Sequence, residues 1–164
     1  MRHYQLHGCP CGFLGDPIKE CSCSASAIAR YQKRISGPLL DRIDIHVEVP
    51  RVDYEKLADK RHVEHSETVR RRVQAARERQ LQRFKGTKLT CNAEMGPSEV
   101  RECCHVEPSA EKLLKVAMQQ LHLSARAFHR VLKLARTIAD LAECEVIAAN
   151  HLAEAIQYRP RVGM

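Results

Sequence analysis

Four cysteines stand close together near the start of the chain, as Cys9-Pro-Cys11 and Cys21-Ser-Cys23. Two C-x-C pairs joined by a nine-residue loop can wrap four thiolates around one tetrahedral zinc ion. Gly8, Gly12 and Gly15 let the backbone turn so that the sulfurs converge. A closed four-sulfur site has no open coordination position, so its role is structural. The other account is a reduced, metal-free loop whose thiols oxidise readily. The N-terminal residues, Met1-Arg-His-Tyr-Gln-Leu-His7, lack the apolar core of a secretory signal, so a cytoplasmic protein is expected. In that compartment clustered cysteines read as metal ligands before they read as disulfides. Cys91, Cys103, Cys104 and Cys144 are scattered and read as buried or incidental thiols.

Three groups of arginines could act on phosphate. Arg42 lies in the charged string Asp41-Arg42-Ile43-Asp44, after the Gly37-Pro38 break. Held rigidly at a surface, its planar fork could supply charge to a phosphoryl group in another subunit. On the residues alone, an ion pair pinning a strand edge is the simpler account. Arg126 falls in Ser124-Ala-Arg126-Ala, the first turn of a regular helix, from which it could point at an anion; a solvated face is the alternative. A third group, Arg70, Arg71, Arg77, Arg79 and Arg83, sits with Arg72 on one long helix that could track a nucleic-acid backbone. That helix has no interleaved aromatics for base stacking, and an exposed helix in a larger assembly fits equally well. The net charge of +7 over 164 residues also points to an acidic partner.

Some classes fall away. No apolar run approaches the roughly 18 residues of a membrane span. None of the seven glycines belongs to a G-x-x-x-x-G-K-[ST] string, so these residues alone should not cradle or hydrolyse ATP. No Ser/His/Asp or Cys/His nucleophile arrangement is legible. His3, His7, His62 and His65 lack spacing that marks a metal or catalytic set.

Positioning these groups requires mainly helical structure. Ser24 or Ser26 could cap a helix over 27–33. Ile43, Ile45, Val47 and Val49 alternate as a half-buried strand does, closed by Pro50. A short helix over 54–59 is expected, then the basic helix over 66–84, capped by Ser66 and ended by Gly86. Its apolar stripe is narrow: Val69, Val73, Ala76 and Phe84. After a loop over 85–96, Pro97 and Pro108 suit first helical positions of helices over 97–104 and 108–122. Phe128, Val131, Leu132, Ala135, Ile138 and Ala139 mark the most regular helix, over 124–142. A last helix spans 148–158, and the helices from 108 onward should form a compact bundle. Three domains follow: 1–50 with the cysteine knuckle and one core strand, 51–106 as a helical connector, and 107–164 as the bundle.

Five strings, in this order, resemble one family: Cys9-Pro-Cys-Gly12, Arg34-Ile-Ser-Gly-Pro-Leu-Leu-Asp-Arg-Ile-Asp44, Ser124-Ala-Arg-Ala, Leu134-Ala-Arg-Thr-Ile-Ala-Asp-Leu141 and His151-Leu-Ala-Glu-Ala-Ile-Gln-Tyr-Arg159. They look like the C-terminal part of magnesium-chelatase-like AAA+ ATPases of the bacterial ComM/YifB type, hexameric motors that drive DNA branch migration in natural transformation. The resemblance implies that residues to about 50 end the ATPase core and that 107–160 form the helical lid over the nucleotide. It implies that Arg42 is the arginine finger acting on ATP in the neighbouring subunit, and that Arg126 is the sensor-2 arginine. It further implies DNA and a ring of like subunits as partners, and a P-loop core, binding ATP and Mg, that these residues do not contain. The family's Asn-Pro before Cys-Pro-Cys-Gly is replaced here by His7-Gly8, so no sensor-1 residue is carried over. A freestanding zinc-containing nucleic-acid-binding module and a subunit inserting magnesium into a porphyrin are the alternative functions.

Overall fold

The structure, a computed structural model, describes residues 7–34, 42–49, 52, 64–121 and 123–159. The chain divides into two units, Met1–Ile43 with Glu48–Asp59, and Asp44–Val47 with Lys60–Met164.

In the first unit, α1 (Ala25–Gln32) starts where Ser24 Oγ accepts the Ala27 amide at 3.3 Å. That bond satisfies one of the four N–H groups a helix start leaves without partners. The alternating run was expected to be a strand, and this is corrected: among the described residues, 43–49 form none. A strand needs a partner edge, and no described residue ladders with this run. Val47 and Val49 are instead 64% and 82% exposed. The helix expected over 54–59 lies outside the described residues.

The second unit holds five α-helices among its described residues: α2 (Ser66–Arg83), α3 (Pro97–Cys103), α4 (Pro108–Gln120), α5 (Ala125–Leu141) and α6 (Ala149–Gln157). Two prolines open helices as expected, since proline's fixed φ suits a first helical residue whose N–H has no acceptor. His65, not Ser66, occupies the cap position of α2, and its side chain makes no cap bond. The loop before α3 carries one 3-10 turn, Asn92–Glu94.

α5 is the central element. It packs on α6, α2, the 3-10 turn and α3, while α4 packs on α6. Its apolar positions Val131, Leu132, Ala135 and Ala139 meet Met95, Val100, Leu114, Ile147 and Leu152 in one buried cluster. Ser124 Oγ accepts the Ala127 amide at 3.2 Å at its start. Such a cap contributes about 1 kcal/mol and fixes the first turn, which carries Arg126. At the other end Glu143 stands in the left-handed region with φ 61. Cys144 N–H returns to Ala139 O at 2.9 Å and Glu143 N–H to Asp140 O at 3.3 Å, the pairing that closes a helix with a left-handed residue.

Candidate functional site

The four clustered cysteines are brought together. Their sulfurs all lie within 4.8 Å of one another. Cys9 and Cys11 Sγ are 3.3 Å apart, and Cys21 Sγ lies 3.6 Å from each. Sulfurs about 2.3 Å from a tetrahedral zinc stand roughly 3.8 Å apart, so the thiols already have nearly the required spacing. The turn that achieves this runs through Gly12, whose φ of 81 carries the chain round as its N–H bonds Cys9 O at 3.1 Å. Beyond it, Asp16 Oδ1 accepts the amides of Ile18 and Lys19 at 2.8 and 2.9 Å. Gln32 Nε2 on α1 donates to Gly8 O at 3.2 Å, tying the knuckle to its own helix.

Protons are held unequally in this cluster. The Phe13 backbone amide, then the Cys9 thiol, draw Cys11 down to about 6. The Cys23 amide acts to lower Cys21, but desolvation and the thiols of Cys9, Cys11 and Cys23 outweigh it and push Cys21 up to about 12. Packed thiols of this kind are a competent ligand set for a soft dication, whose binding releases the remaining protons.

A second site opens on α5. Arg126, His129, Arg130 and Lys133 follow at helical spacing and line one side of a cleft of about 350 Å³, with Met95, Gly96 and Pro97 opposite. Arg126 is exposed. Lys133 Nζ donates to Ala93 O at 3.1 Å, and Arg130 Nη1 lies 3.3 Å from Asp44 Oδ1. His129 Nδ1 is buried with no hydrogen-bond partner, its ring edge-on to Phe128 at 5.4 Å. Three fixed cations and an imidazole on one face suit a phosphate or another multivalent anion.

Arg34 and Arg42 are exposed, Arg42 in a turn of the first unit. Asp41 lies outside the described residues. Among the described residues of this stretch, Asp44 forms an ion pair with Arg130.

The arginines of α2 separate into two sets. Arg70, Arg71 and Arg77 are exposed, Arg77 bonding Gln80 Oε1 at 3.3 Å. Arg72 pairs with Glu64 at 3.0 Å. Arg79 is held by Asp140 O at 3.1 Å and by Glu143 at 3.1 Å, and Arg83 grips both oxygens of Asp140, Nη1 to Oδ2 at 2.8 Å. Glu67 and Glu78 share the open side of the helix with Arg71. The anion-facing charge of α2 is therefore much smaller than its composition suggests.

Sequence reasoning did not single out the groups that hold this end of the fold. Asp140 and Arg136 are 0% and 1% exposed. Arg136 Nε donates to Asp140 Oδ1 at 3.1 Å, and its two terminal nitrogens hold the carbonyls of Glu145 and Cys144. Asn92 Nδ2 donates to Asp140 Oδ2 at 2.8 Å and to Thr137 Oγ1 at 3.1 Å, while its Oδ1 accepts from Arg83 at 2.9 Å. Burial acts to raise Asp140, but the bonds from Arg83 and Asn92 and the charges of Arg136 and Arg83 outweigh it. Its carboxyl is held below the usual carboxylate range. The same Asp140 bond raises Arg83. The sequence offered one weak signal: Arg136 and Asp140 lie four apart on α5, beside Leu132 at the border of the apolar stripe, a spacing that suits an ion pair.

Known proteins resemble this chain along most of its length. The family model described as magnesium chelatase, subunit ChlI C-terminal, matches residues 63–159, and that of magnesium chelatase, subunit ChlI, matches residues 4–57. The chain is 42% identical to YifB of Escherichia coli strain K12 over 139 residues, which is 84% of this chain and 26% of YifB. It is 40% identical to competence protein ComM of Haemophilus influenzae over 142 residues, 86% of this chain and 27% of ComM. The chain spans about a quarter of the length of these curated relatives. No helix among the described residues is long and apolar enough to cross a membrane. On both family models and both relatives, the chain belongs to the magnesium-chelatase-like AAA+ family, of the ComM/YifB type.

Proposed function

We propose that this chain supplies the helical lid and the arginine finger of an ATP-driven motor that works on DNA as a ring of like subunits. The observation that carries the reading is the α5 cleft, where Arg126 stands in a capped first turn beside His129, Arg130 and Lys133. There Arg126 contacts nucleotide phosphate as a sensor-2 residue, from a helix whose far end is locked into the core. Arg42, exposed in the other unit, offers its fork to the γ-phosphate bound by a neighbouring subunit. The P-loop that binds ATP and Mg lies outside these residues, so the chain alone does not hydrolyse ATP. The four cysteines hold one structural zinc, which supplies cross-linking of the knuckle and no chemistry. Domain boundaries near 50 and 106 separate the core remnant, a connector and the lid.

The test is ATPase activity in an assembly that includes a P-loop core of this type. Arg42→Ala is expected to lower kcat by about 10³-fold or more, the usual size of a finger effect. Arg126→Ala is expected to weaken nucleotide coupling while helical circular dichroism stays unchanged, because its side chain lies off the apolar stripe. Undiminished turnover in Arg42→Ala assemblies would end the finger assignment.

DNA contact by α2 rests on Arg70, Arg71 and Arg77, since Arg79 and Arg83 are engaged within the fold. Three phosphate contacts give a log–log salt slope near −3 for duplex binding, and each arginine changed to glutamine should reduce it by about 1. A slope unmoved by these changes places the DNA contact elsewhere. Steep salt dependence without any nucleotide effect would favour a freestanding nucleic-acid-binding module instead.

A further inference from the structure

Arg130 follows Arg126 by one helical turn and lines the same cleft, yet it also reaches Asp44 Oδ1 at 3.3 Å. Asp44 opens the tetrapeptide Asp44–Val47, which belongs to the unit of the lid helices. That tetrapeptide has a second anchor, His46 N–H to Tyr158 O at 2.9 Å, at the end of α6. It is thus a strap on the lid, with a side-chain bond at Asp44 and a backbone bond at His46 among its anchors. The side-chain bond is the weaker. Asp44 is 66% exposed and Arg130 21%, and ion pairs so open to water contribute little. Lys133, by contrast, is held to Ala93 O, a backbone acceptor that carries no net charge.

We propose that Arg130 is a positioning residue shared between the cleft and the strap. A phosphate anion in the cleft competes with the Asp44 carboxylate for one guanidinium. When the anion wins, the strap loses its Arg130 anchor and keeps its anchor at His46. The strap continues directly, two residues back along the chain, to Arg42. Occupancy of a subunit's own cleft therefore changes the tether of the arginine offered to its neighbour. The proposal rests on the reading of the cleft as a phosphate contact. Coupling of this kind is reciprocal, so weakening the Asp44 bond must strengthen anion binding by the same factor.

The experiment titrates inorganic pyrophosphate into the 164-residue chain, with affinity read by calorimetry and the His46 amide by hydrogen exchange. Asp44→Asn is expected to tighten pyrophosphate binding about two- to fivefold. In an Arg130→Gln background the same change should have no effect, because the group being contested is gone. Saturating pyrophosphate should accelerate exchange of the His46 amide in the unaltered chain and not in Arg130→Gln. If Asp44→Asn tightens binding equally in both backgrounds, the effect is through-space charge and the sharing of Arg130 is refuted. Unchanged His46 exchange at saturation refutes the strap. Should pyrophosphate not bind, or bind undiminished after Arg126→Ala, the cleft reading fails and this proposal falls with it; the two earlier outcomes leave the cleft reading intact.

Discussion

Changing Asp140 to alanine is expected to destabilise the lid by about 3–5 kcal/mol, read as a fall in the urea midpoint of its helical signal. The magnitude follows from what is left behind. Arg136 is 1% exposed and the Arg83 side chain 20%, and both would keep their charge with no carboxylate to meet it. Asn92 would lose an acceptor in a buried place. Apolar replacement of Asp140, Arg83 and Arg136 together should cost much less, because it strands no charge. A loss under about 1 kcal/mol for the alanine variant would mean that water reaches the cluster. The cluster also sets a pH dependence. Asp140 has a lower proton affinity folded than unfolded, so its ionised form contributes stability in full above the ordinary aspartate value of about 4. That contribution is lost as pH falls through the lowered folded value. Asp140→Asn should flatten this acid limb of the stability curve.

The second large effect concerns metal. Protein never exposed to chelator is expected to carry one zinc per chain by elemental analysis. Cys9→Ser, or exhaustive chelation, should abolish amide protection across residues 7–34 while α2 to α6 keep theirs. Apparent binding energies of structural zinc sites are about 10–16 kcal/mol at neutral pH, and such binding energy is folding energy. The knuckle has little else to hold it: among its described residues, Cys9 is the only buried one. Zinc far below one equivalent would sink the assignment.

The helices of the second unit were legible because their cues are local. Prolines at positions 97 and 108, the serine at 124 and the apolar repeat of α5 each act within a turn or two, and each element forms where they stand. The cysteine cluster was legible for the same reason, its convergence needing only a short glycine-rich loop. The run from Ile43 to Val49 misled because alternation records a capacity to pair, not the presence of a partner strand. The charged cluster was missed because its members come from three places, Arg83 on α2, Asn92 in the 3-10 turn, and Arg136 with Asp140 on α5, and no local window contains them all. Periodicity assigns charges to solvent by default. Only the four-residue spacing of Arg136 and Asp140 on α5 hinted at a pair, and long-range pairing with that end of α5 turned Arg79 and Arg83 from surface charges into fastenings.

α5 carries Arg126 near one end and Asp140 near the other, fourteen residues apart. At 1.5 Å per residue that is a stiff arm of about 21 Å. The Asp140 cluster clamps one end of the arm to α2 and to the 3-10 turn, which makes that end a fulcrum. A rotation of about 10° there sweeps the Arg126 end through roughly 4 Å, more than the length of a hydrogen bond. A modest tilt at the clamp is therefore enough to make or break a phosphate contact at the tip.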